Sequence, residues 1–248
     1  MSKINFKFFI TVNLLLFTFK LASGQFVNNL RLGGGIGFSL YLGSQMDYTI
    51  ALNTYGKSEL NSGLHGQIFY TINDRHEIGI RALTTELWSF KSENYLGLNA
   101  KINDVFLVHQ MSLNKNTRID NQKFTFNTVF GIGVIYYRSM FYTANPATQQ
   151  IKQFSSVGNG VTEVSSGLII PEQRPTIAGM VGFNIGYRLN RFMTAYLENS
   201  ITLSGSNKIT GNLLLKSNLP NNGYSFHSLG LYFNLDVRKS SLKCPRFY

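Results

Sequence analysis

Residues 30–42 read LRLGGGIGFSLYL and decide the fold, because an apolar residue or glycine occupies every even position. The odd positions carry Arg31, three glycines, Ser39 and Tyr41. Alternation with a period of two residues places the two sets of side chains on opposite faces of a β-strand. We therefore predict a strand with one apolar face and one small or polar face.

The same alternation recurs seven more times along the chain. The apolar sets of these later segments begin at Leu64, Ile78, Leu96, Phe124, Ile177, Ala195 and Leu229. In the fourth segment the apolar phase changes between Ile102 and Val105, so a β-bulge near Asn103 and Asp104 is expected there. Most of these segments are long enough to cross a membrane as tilted strands, which needs ~9–11 residues, whereas soluble strands average ~5–6.

The connections between the predicted strands alternate in length. Short connections are expected at residues 73–75, 114–122 and 190–191, and long ones at residues 43–63, 84–95, 138–175 and 204–223. Short periplasmic turns and long extracellular loops are typical of outer-membrane barrels. We predict an all-β fold, an eight-stranded antiparallel up-and-down transmembrane β-barrel. A soluble β-sandwich or a lipocalin-like barrel is the alternative, but both turn their apolar faces inward.

The composition favours the membrane barrel. Of the 248 residues only 14% are charged and 44% are hydrophobic, whereas about 25% are charged in a typical soluble domain. The single cysteine excludes a disulfide within the chain and a cysteine-rich zinc module. The net charge of +11 would suit a nucleic-acid ligand, but the low charge content and the many glycines and aromatic residues argue against one.

The N-terminus has the pattern of a secretory signal. Lys3 and Lys7 precede an apolar run over residues 8–19, and Ala22-Ser23-Gly24 provides small residues for cleavage before Gln25. A retained membrane anchor is the alternative, although the run is shorter than the ~20 residues of a spanning helix. The predicted organisation is a cleaved signal peptide over residues 1–24, a barrel over 25–238 and a basic periplasmic tail over 239–248.

The interior of an eight-stranded barrel is just wide enough to be filled by side chains. Charged residues that point inward should therefore pair with each other. The predicted lumen charge network consists of Arg31, Glu77, Arg81, Arg188, Glu198 and Asp236. We expect these residues to plug the lumen, and a gated ion path is the alternative. On the outer face, Tyr70, Tyr136 and Tyr187 are expected in the aromatic girdles at the membrane interfaces.

Two further surfaces are candidates for contact with partners. The tail carries Arg238, Lys239, Lys243, Cys244 and Arg246 but no acidic residue, which favours anionic headgroups, a cell-wall component or a protein. The Cys244 thiol is either free or paired with a partner. The second surface is the polar loop over residues 138–175, whose segment 161–170 is expected to extend the flanking strands beyond the membrane.

No motif for catalysis or metal binding is evident. The sequence contains neither His-Glu-x-x-His nor Gly-x-Ser-x-Gly, and its four histidines do not have metal-site spacing. We therefore predict no enzymatic activity, no cofactor and no metal. The alternative of a lipid-A-modifying enzyme would use a histidine, a serine and an acid. For it, His65 and His227 lie near Ser62, Ser225 and Ser228, at the extracellular ends of two strands.

The signal peptide, the eight long alternating strands, the glycine-rich first strand and the alternating last strand from Leu229 to Val237 resemble the small outer-membrane β-barrel families. These families include the OmpA/OmpX-like barrels and the PorT-like barrel proteins of gram-negative bacteria. The resemblance covers residues 26–238 and rests on pattern alone. Many such barrels end on an aromatic residue of the last strand, whereas here a basic tail ending in Tyr248 follows.

This resemblance implies an integral protein of the cell outer membrane, in contact with outer-membrane lipid and with other envelope proteins. The missing catalytic motifs and the two candidate contact surfaces favour a non-enzymatic structural or interaction component, and the resemblance implies a role accessory to a secretion or surface-protein assembly. A small channel or conduit for hydrophobic ligands, and a lipid-A-modifying enzyme, are the alternative functions.

Overall fold

The computed structural model describes residues 29–43, 58–91, 95–114, 123–144, 151–157, 169–170, 174–210 and 222–235. Within them the strands are β1 (Leu30–Leu42), β2 (Asn61–Thr71), β3 (His76–Lys91), β4 (Leu96–Ser112), β5 (Phe124–Ala144), β6 (Ile151–Val157), β7 (Ile169–Ile170), β8 (Arg174–Arg188), β9 (Met193–Ser204) and β10 (Gly223–Asn234). A short 3-10 helix, Asn207–Thr210, lies between β9 and β10. In these ranges no helix is long and apolar enough to cross a membrane. The predicted signal peptide and the tail 239–248 lie outside the described residues.

Eight of the strands close into an antiparallel barrel, which confirms the predicted fold. β1 pairs with both β2 and β10, and β5 closes the ring by pairing with β4 and β8. The strand register shows how far the barrel is staggered. Moving from Ile36 of β1 to its paired residue on β2, and on through β3 and β4, leads to Tyr136 of β5. Moving the other way round the ring, through β10, β9 and β8, leads to Phe126 of β5, which is ten residues away from Tyr136. Such a stagger tilts the strands of a barrel by roughly 35–45° against its axis.

The outer face of the barrel is an apolar belt. Ile36, Ile132, Ile177 and Leu229 are 69%, 72%, 72% and 62% exposed, whereas the residues that alternate with them point inward. A soluble protein rarely exposes a continuous apolar surface of this extent. The arrangement is the one that a wall facing lipid requires, and it is the reverse of a lipocalin-like barrel.

The predicted bulge in the fourth strand is wrong. β4 pairs without interruption with β3 and with β5 along its whole length. Leu98 and Ile102 are buried inside the barrel, whereas Val105 and Leu107 are exposed outside it. The apolar phase changes because the extracellular half of the interior is itself apolar, while the strand continues unbroken.

The predicted loop over residues 84–95 is also wrong. β3 continues to Lys91, so that only residues 92–95 separate it from β4. Leu87, Trp88 and Phe90 are buried in this continuation, and their burial favours a strand over an open loop. The prediction failed because the outward face changes from lipid-exposed residues to packed aromatic ones.

The long connection predicted at residues 138–175 begins as strand. β5 runs for 21 residues up to Ala144, and β6 pairs with its end. In the segment 161–170, expected to extend the strands, the described residues form only β7, which pairs parallel with β6. The strand that pairs with the extended end of β5 is thus β6. It lies nearer to β5 in the sequence than the predicted segment 161–170.

Candidate functional site

One ion pair of the barrel interior lies toward the periplasmic end, where β2 turns into β3. Arg31 of β1 donates a hydrogen bond to Glu77 of β3. The guanidinium of Arg31 also lies 4.0 Å from the ring centre of Tyr232, a cation–π distance. Thr71 donates to the other carboxylate oxygen of Glu77 at 3.1 Å. Both charged side chains are 15% exposed, so water reaches this pair.

A second ion pair lies in the middle of the barrel and is sealed from water. Arg81 of β3 has a guanidinium nitrogen 3.3 Å from a carboxylate oxygen of Glu198 on β9, and both side chains are 1% exposed. Arg81 also donates to the sulfur of Met180 and, at 3.3 Å, to the hydroxyl of Ser200. Gln67 lies directly opposite Arg81 in the β2–β3 register. Neutralisation of charge by an opposite charge is what makes such deep burial tolerable.

The sequence reasoning missed a third carboxylate in the interior. Asp104 of β4 is 1% exposed and accepts a hydrogen bond from the hydroxyl of Tyr224. It pairs in register with Leu83, two residues along β3 from Arg81. The predicted bulge at Asn103 and Asp104 left the direction of the Asp104 side chain undefined, so Asp104 was not counted among the inward residues. A strand that alternates without interruption, with Ile102 and Phe106 inward, would have predicted Asp104 to point inward as well.

Aromatic and amide side chains fill the space between the two ion pairs. The rings of Tyr196 and Tyr232 stack with centres 4.0 Å apart. The Tyr232 hydroxyl accepts hydrogen bonds from Gln67 and Asn184, both at 2.9 Å. Gly33 makes room for this packing, since a Cβ atom there would lie 2.6 Å from the ring of Tyr232.

The extracellular end of the interior is also packed. Ile209 of the 3-10 helix is fully buried and belongs to the same apolar cluster as Leu98, Ile135 and Tyr137 of the wall. The hydroxyl of Ser139 on β5 donates to the carbonyl of Lys208 at 3.5 Å. The 3-10 helix thus packs against the wall at this end of the barrel.

The remaining predicted site residues are Arg188, Asp236 and the five residues of the tail. Arg188 lies at the end of β8, where its Nε donates to the carbonyl of Asn190 at 3.3 Å. Asp236 lies outside the described residues. So do the predicted tail contacts, Arg238, Lys239, Lys243, Cys244 and Arg246. The tail and the pairing of Asp236 stay predictions.

The residues considered for an enzymatic centre lie on two different sides of the wall. His65 points inward, where its Nε2 lies 2.6 Å from the hydroxyl of Tyr196. Ser228 also alternates to the inside and is 3% exposed. His227, Ser225 and Ser62 alternate to the outside, and of these three His227 and Ser225 contact each other. Among the described residues, no three or more His, Cys, Asp or Glu side chains form a group that could hold a metal ion.

Polar and aromatic residues mark the edges of the apolar belt. Glu86, Lys101 and Arg138 lie side by side in register on the outward faces of β3, β4 and β5, and all are exposed. Tyr136, one outward position below Arg138, is 43% exposed. Tyr187 marks the opposite edge, where it packs against Phe124 at 5.0 Å between ring centres. This order of aromatic and charged residues is typical of membrane interfaces.

No family model matches the chain, and no curated protein matches it in sequence. Among solved structures, Neisserial surface protein A is 8% identical, with a TM-score of 0.46 over 83% of this chain and 97% of that one. The attachment invasion locus protein Ail of Yersinia pestis is 12% identical, with a TM-score of 0.42 over 82% and 96%. The N-terminal β-barrel domain of Pseudomonas aeruginosa OprF is 12% identical, with a TM-score of 0.36 over 83% and 96%. The fold assignment itself rests on the strand pairing described above.

Proposed function

We propose that this protein is an integral outer-membrane barrel with a sealed lumen, which acts through its outer surfaces and not by conducting solutes. The observation that carries this proposal is the buried Arg81–Glu198 pair, which joins opposite walls at the middle of the interior. The side chains of both residues are 1% exposed. The packing of Ile209 at the extracellular end supports it independently. An ion or ligand would have to break both to pass.

The exterior of the barrel supports a placement in the outer membrane. A closed antiparallel barrel satisfies all backbone hydrogen bonds in its wall, so it can expose an apolar belt to lipid. Lys101 and Arg138 then lie at the extracellular interface, because the hairpin turns on their side of the belt are the extended ones. The predicted signal peptide supports export to that membrane.

The surface best suited to a partner is the extension of β3, β4 and β5 beyond the belt. These strands have 16, 17 and 21 residues, whereas ~9–11 residues suffice to cross a bilayer. On the extension, Phe90 and Tyr142 stack nearly parallel, with ring centres 6.4 Å apart. Between them lies Gly97, which pairs in register with both. A side chain at Gly97 would collide with Tyr142.

We propose that this rigid extension contacts another envelope protein. A role accessory to a secretion or surface-protein assembly would fit such a contact, and it rests on the family resemblance alone. The basic tail over residues 239–248 is a second contact surface of the proposal, on the periplasmic side.

Site-specific photo-crosslinking in native membranes tests the contact. A photoreactive amino acid at Asn99, which points outward on the extension, should yield one defined crosslinked protein. The same amino acid at Asn73, in the periplasmic turn between β2 and β3, is the matched control and should not yield that species. Absence of a defined partner at Asn99, or the same partner at both positions, would contradict a contact through the extension.

A further inference from the structure

Three polar side chains form a hydrogen-bonded chain on the outer face of the wall. His227 of β10 has its Nδ1 atom 2.8 Å from the side-chain amide of Asn199 on β9. Its other ring nitrogen, Nε2, lies 3.2 Å from the hydroxyl of Ser225. A serine hydroxyl, an imidazole and an amide are thus joined in that order.

Strand spacing and strand register bring these three side chains together. Ser225 and His227 are two residues apart on one strand, so they share the outward face. Asn199 is the register partner of His227 on the neighbouring strand. The ring of Phe38 on β1 covers the imidazole, with ring centres 5.1 Å apart and planes 26° apart. The imidazole is therefore held on both edges and on one face.

The order of the groups is that of nucleophile, general base and orienting residue in hydrolases that use a serine and a histidine, including the variants in which an amide orients the imidazole. The atom of Asn199 facing Nδ1 is Nδ2. A half-turn of the amide, which exchanges its nitrogen and oxygen, lets Oδ1 accept the Nδ1 proton instead. Nε2 of His227 is then unprotonated and faces the Ser225 hydroxyl, as a general base requires.

The location identifies the kind of substrate. The three polar residues lie within the apolar belt, where polar side chains are costly and therefore indicate function. His227 and Asn199 line an open groove of about 970 Å³ in the wall. Apolar side chains, including those of Ile36, Leu64 and Leu229, are among its lining and most of its exposed surface is apolar. Within a membrane such a groove is filled by acyl chains.

One end of the groove also carries charge. Lys101 and Glu86, at the extracellular edge of the belt, belong to its lining. A ligand that spans from Lys101 to His227 would place a polar headgroup at the interface and its acyl chains along the wall. An acylated lipid of the outer leaflet has this distribution of polarity.

We propose that Ser225, His227 and Asn199 form a hydrolytic centre that cleaves acyl esters of outer-leaflet lipids. Ser225 and His227 are the catalytic residues, and Asn199 is a positioning residue that acts through His227. This activity goes beyond the proposed contact function and requires neither a partner nor an open lumen. It also differs from the sequence-based expectation of a non-enzymatic protein.

The reaction consists of two acyl transfers. The Oγ of Ser225 bonds to the ester carbonyl carbon while Nε2 of His227 takes the hydroxyl proton. The bond to the alcohol oxygen then breaks, and that oxygen takes the proton from Nε2. Water from the extracellular side next attacks the acyl-serine ester, with His227 taking one of its protons. The bond to Oγ breaks, Oγ recovers the proton, and a fatty acid leaves.

Access to Ser225 requires movement of a neighbouring side chain. Ser225 is 6% exposed, and its register partners are Leu40 on β1 and Ile201 on β9. These are flexible or branched apolar side chains on the lipid-facing wall. An ester that enters from the groove would displace one of them to reach Oγ.

The test uses the purified full-length barrel in detergent–phospholipid micelles, with p-nitrophenyl dodecanoate as substrate and a fluorophosphonate as covalent probe. We expect hydrolysis by the wild type and a mass increase located on Ser225. Ser225→Ala should lower the rate at least ~100-fold and abolish labelling. The control Ser112→Ala, at the end of β4 and outside the groove, should stay within about 2-fold, since surface and distant changes have small effects.

Two further pairs of variants separate catalysis from folding, with heat-modifiable mobility on gels as the check for a closed barrel. His227→Ala should lose activity, whereas His109→Ala, an outward histidine on another part of the wall, should keep it. Asn199→Leu should lower kcat more than it changes KM and should shift the pH profile of the reaction. Asn199→Asp should restore both the kcat and the pH profile. Hydrolysis by Ser225→Ala at the wild-type rate, absence of hydrolysis in the wild type, or labelling at another residue would each overturn the proposal.

Discussion

Arg81 and Glu198 form an ion pair across the centre of the barrel, at 3.3 Å and with both side chains 1% exposed. The two residues lie on strands that are not neighbours in the ring, since β1, β2 and β10 separate β3 from β9. The pair therefore joins opposite parts of the wall as a strut through the interior. Its burial makes it a candidate stability element and, in the proposed sealed barrel, the barrier in the lumen.

Breaking this strut should destabilise the barrel strongly. Removal of one partner from a buried pair leaves an uncompensated charge and costs ~3–5 kcal/mol. Glu198→Gln should lie at the lower end of that range, because the Asp104 carboxylate is also in the interior. The free energy of unfolding in urea with lipid vesicles measures the effect. Lys101→Gln, on the exposed outer face, should change it by less than ~0.5 kcal/mol.

A triple variant tests whether the cost comes from an unpaired charge. Arg81→Met combined with Glu198→Gln and Asp104→Asn removes all three buried charges and should recover most of the loss of Arg81→Met alone. Equal losses in the triple variant and in Arg81→Met would show instead that packing of the Arg81 side chain is what matters.

The partly exposed pair should contribute less. Water reaches Arg31 and Glu77, so screening limits their attraction to about 1 kcal/mol or less. Arg31→Ala should nevertheless cost more than Glu77→Ala, because it also removes the contact with the Tyr232 ring. Urea unfolding of both variants decides this. A larger loss for Glu77→Ala would contradict the role of the ring contact.

Two adjacent glycines of the first strand should tolerate substitution differently. A Cβ atom at Gly33 would lie 2.6 Å from Tyr232, whereas at Gly34 its nearest neighbour would be 3.6 Å away, outside the barrel. Gly33→Val should therefore cost ~1–3 kcal/mol by overpacking, and Gly34→Val should be tolerated. The yield of folded barrel and its urea midpoint measure both. Equal tolerance would contradict the tight interior packing at this position.

A further prediction concerns Leu40, the neighbour of Ser225 on β1, and depends on the proposed hydrolytic centre. Leu40 is the register partner of Ser225, so Leu40→Ala should open space beside the nucleophile. We expect faster labelling by the fluorophosphonate and a higher kcat/KM for p-nitrophenyl dodecanoate. Ile132→Ala, an equally apolar change on the opposite part of the belt, should leave both unchanged. Slower labelling of Leu40→Ala than of the wild type would argue against access along this path.

The alternation of residues was sufficient to predict the strand number, the inward and outward faces and the closed barrel. It failed where both faces of a strand carry apolar residues, as in β4 around Ile102 and in β3 beyond Thr85. There the period of two is masked, because the interior changes from polar to apolar along the barrel. Asp104 was missed for that reason.

The partners inside the barrel could not be predicted from the faces alone. Which inward residues meet depends on the ten-residue stagger around the ring, a property of the closed sheet and not of any strand. Sequence spacing placed Ser225 and His227 on one face of a strand but did not identify Asn199 as their neighbour. Asn199 meets His227 through the register between β9 and β10, and the length of the 18-residue connection between these strands does not determine that register.

The most direct test of the sealed lumen is single-channel conductance of the wild-type barrel in a planar lipid bilayer. We expect no stepwise ion current, since Arg81, Glu198 and Ile209 fill the path. The same recordings on Glu198→Gln should also show none, because the aromatic packing around Tyr232 remains. Steady conductance steps in the wild type, with a size or ion selectivity that changes in Glu198→Gln, would contradict a sealed barrel and identify the strut as a gate.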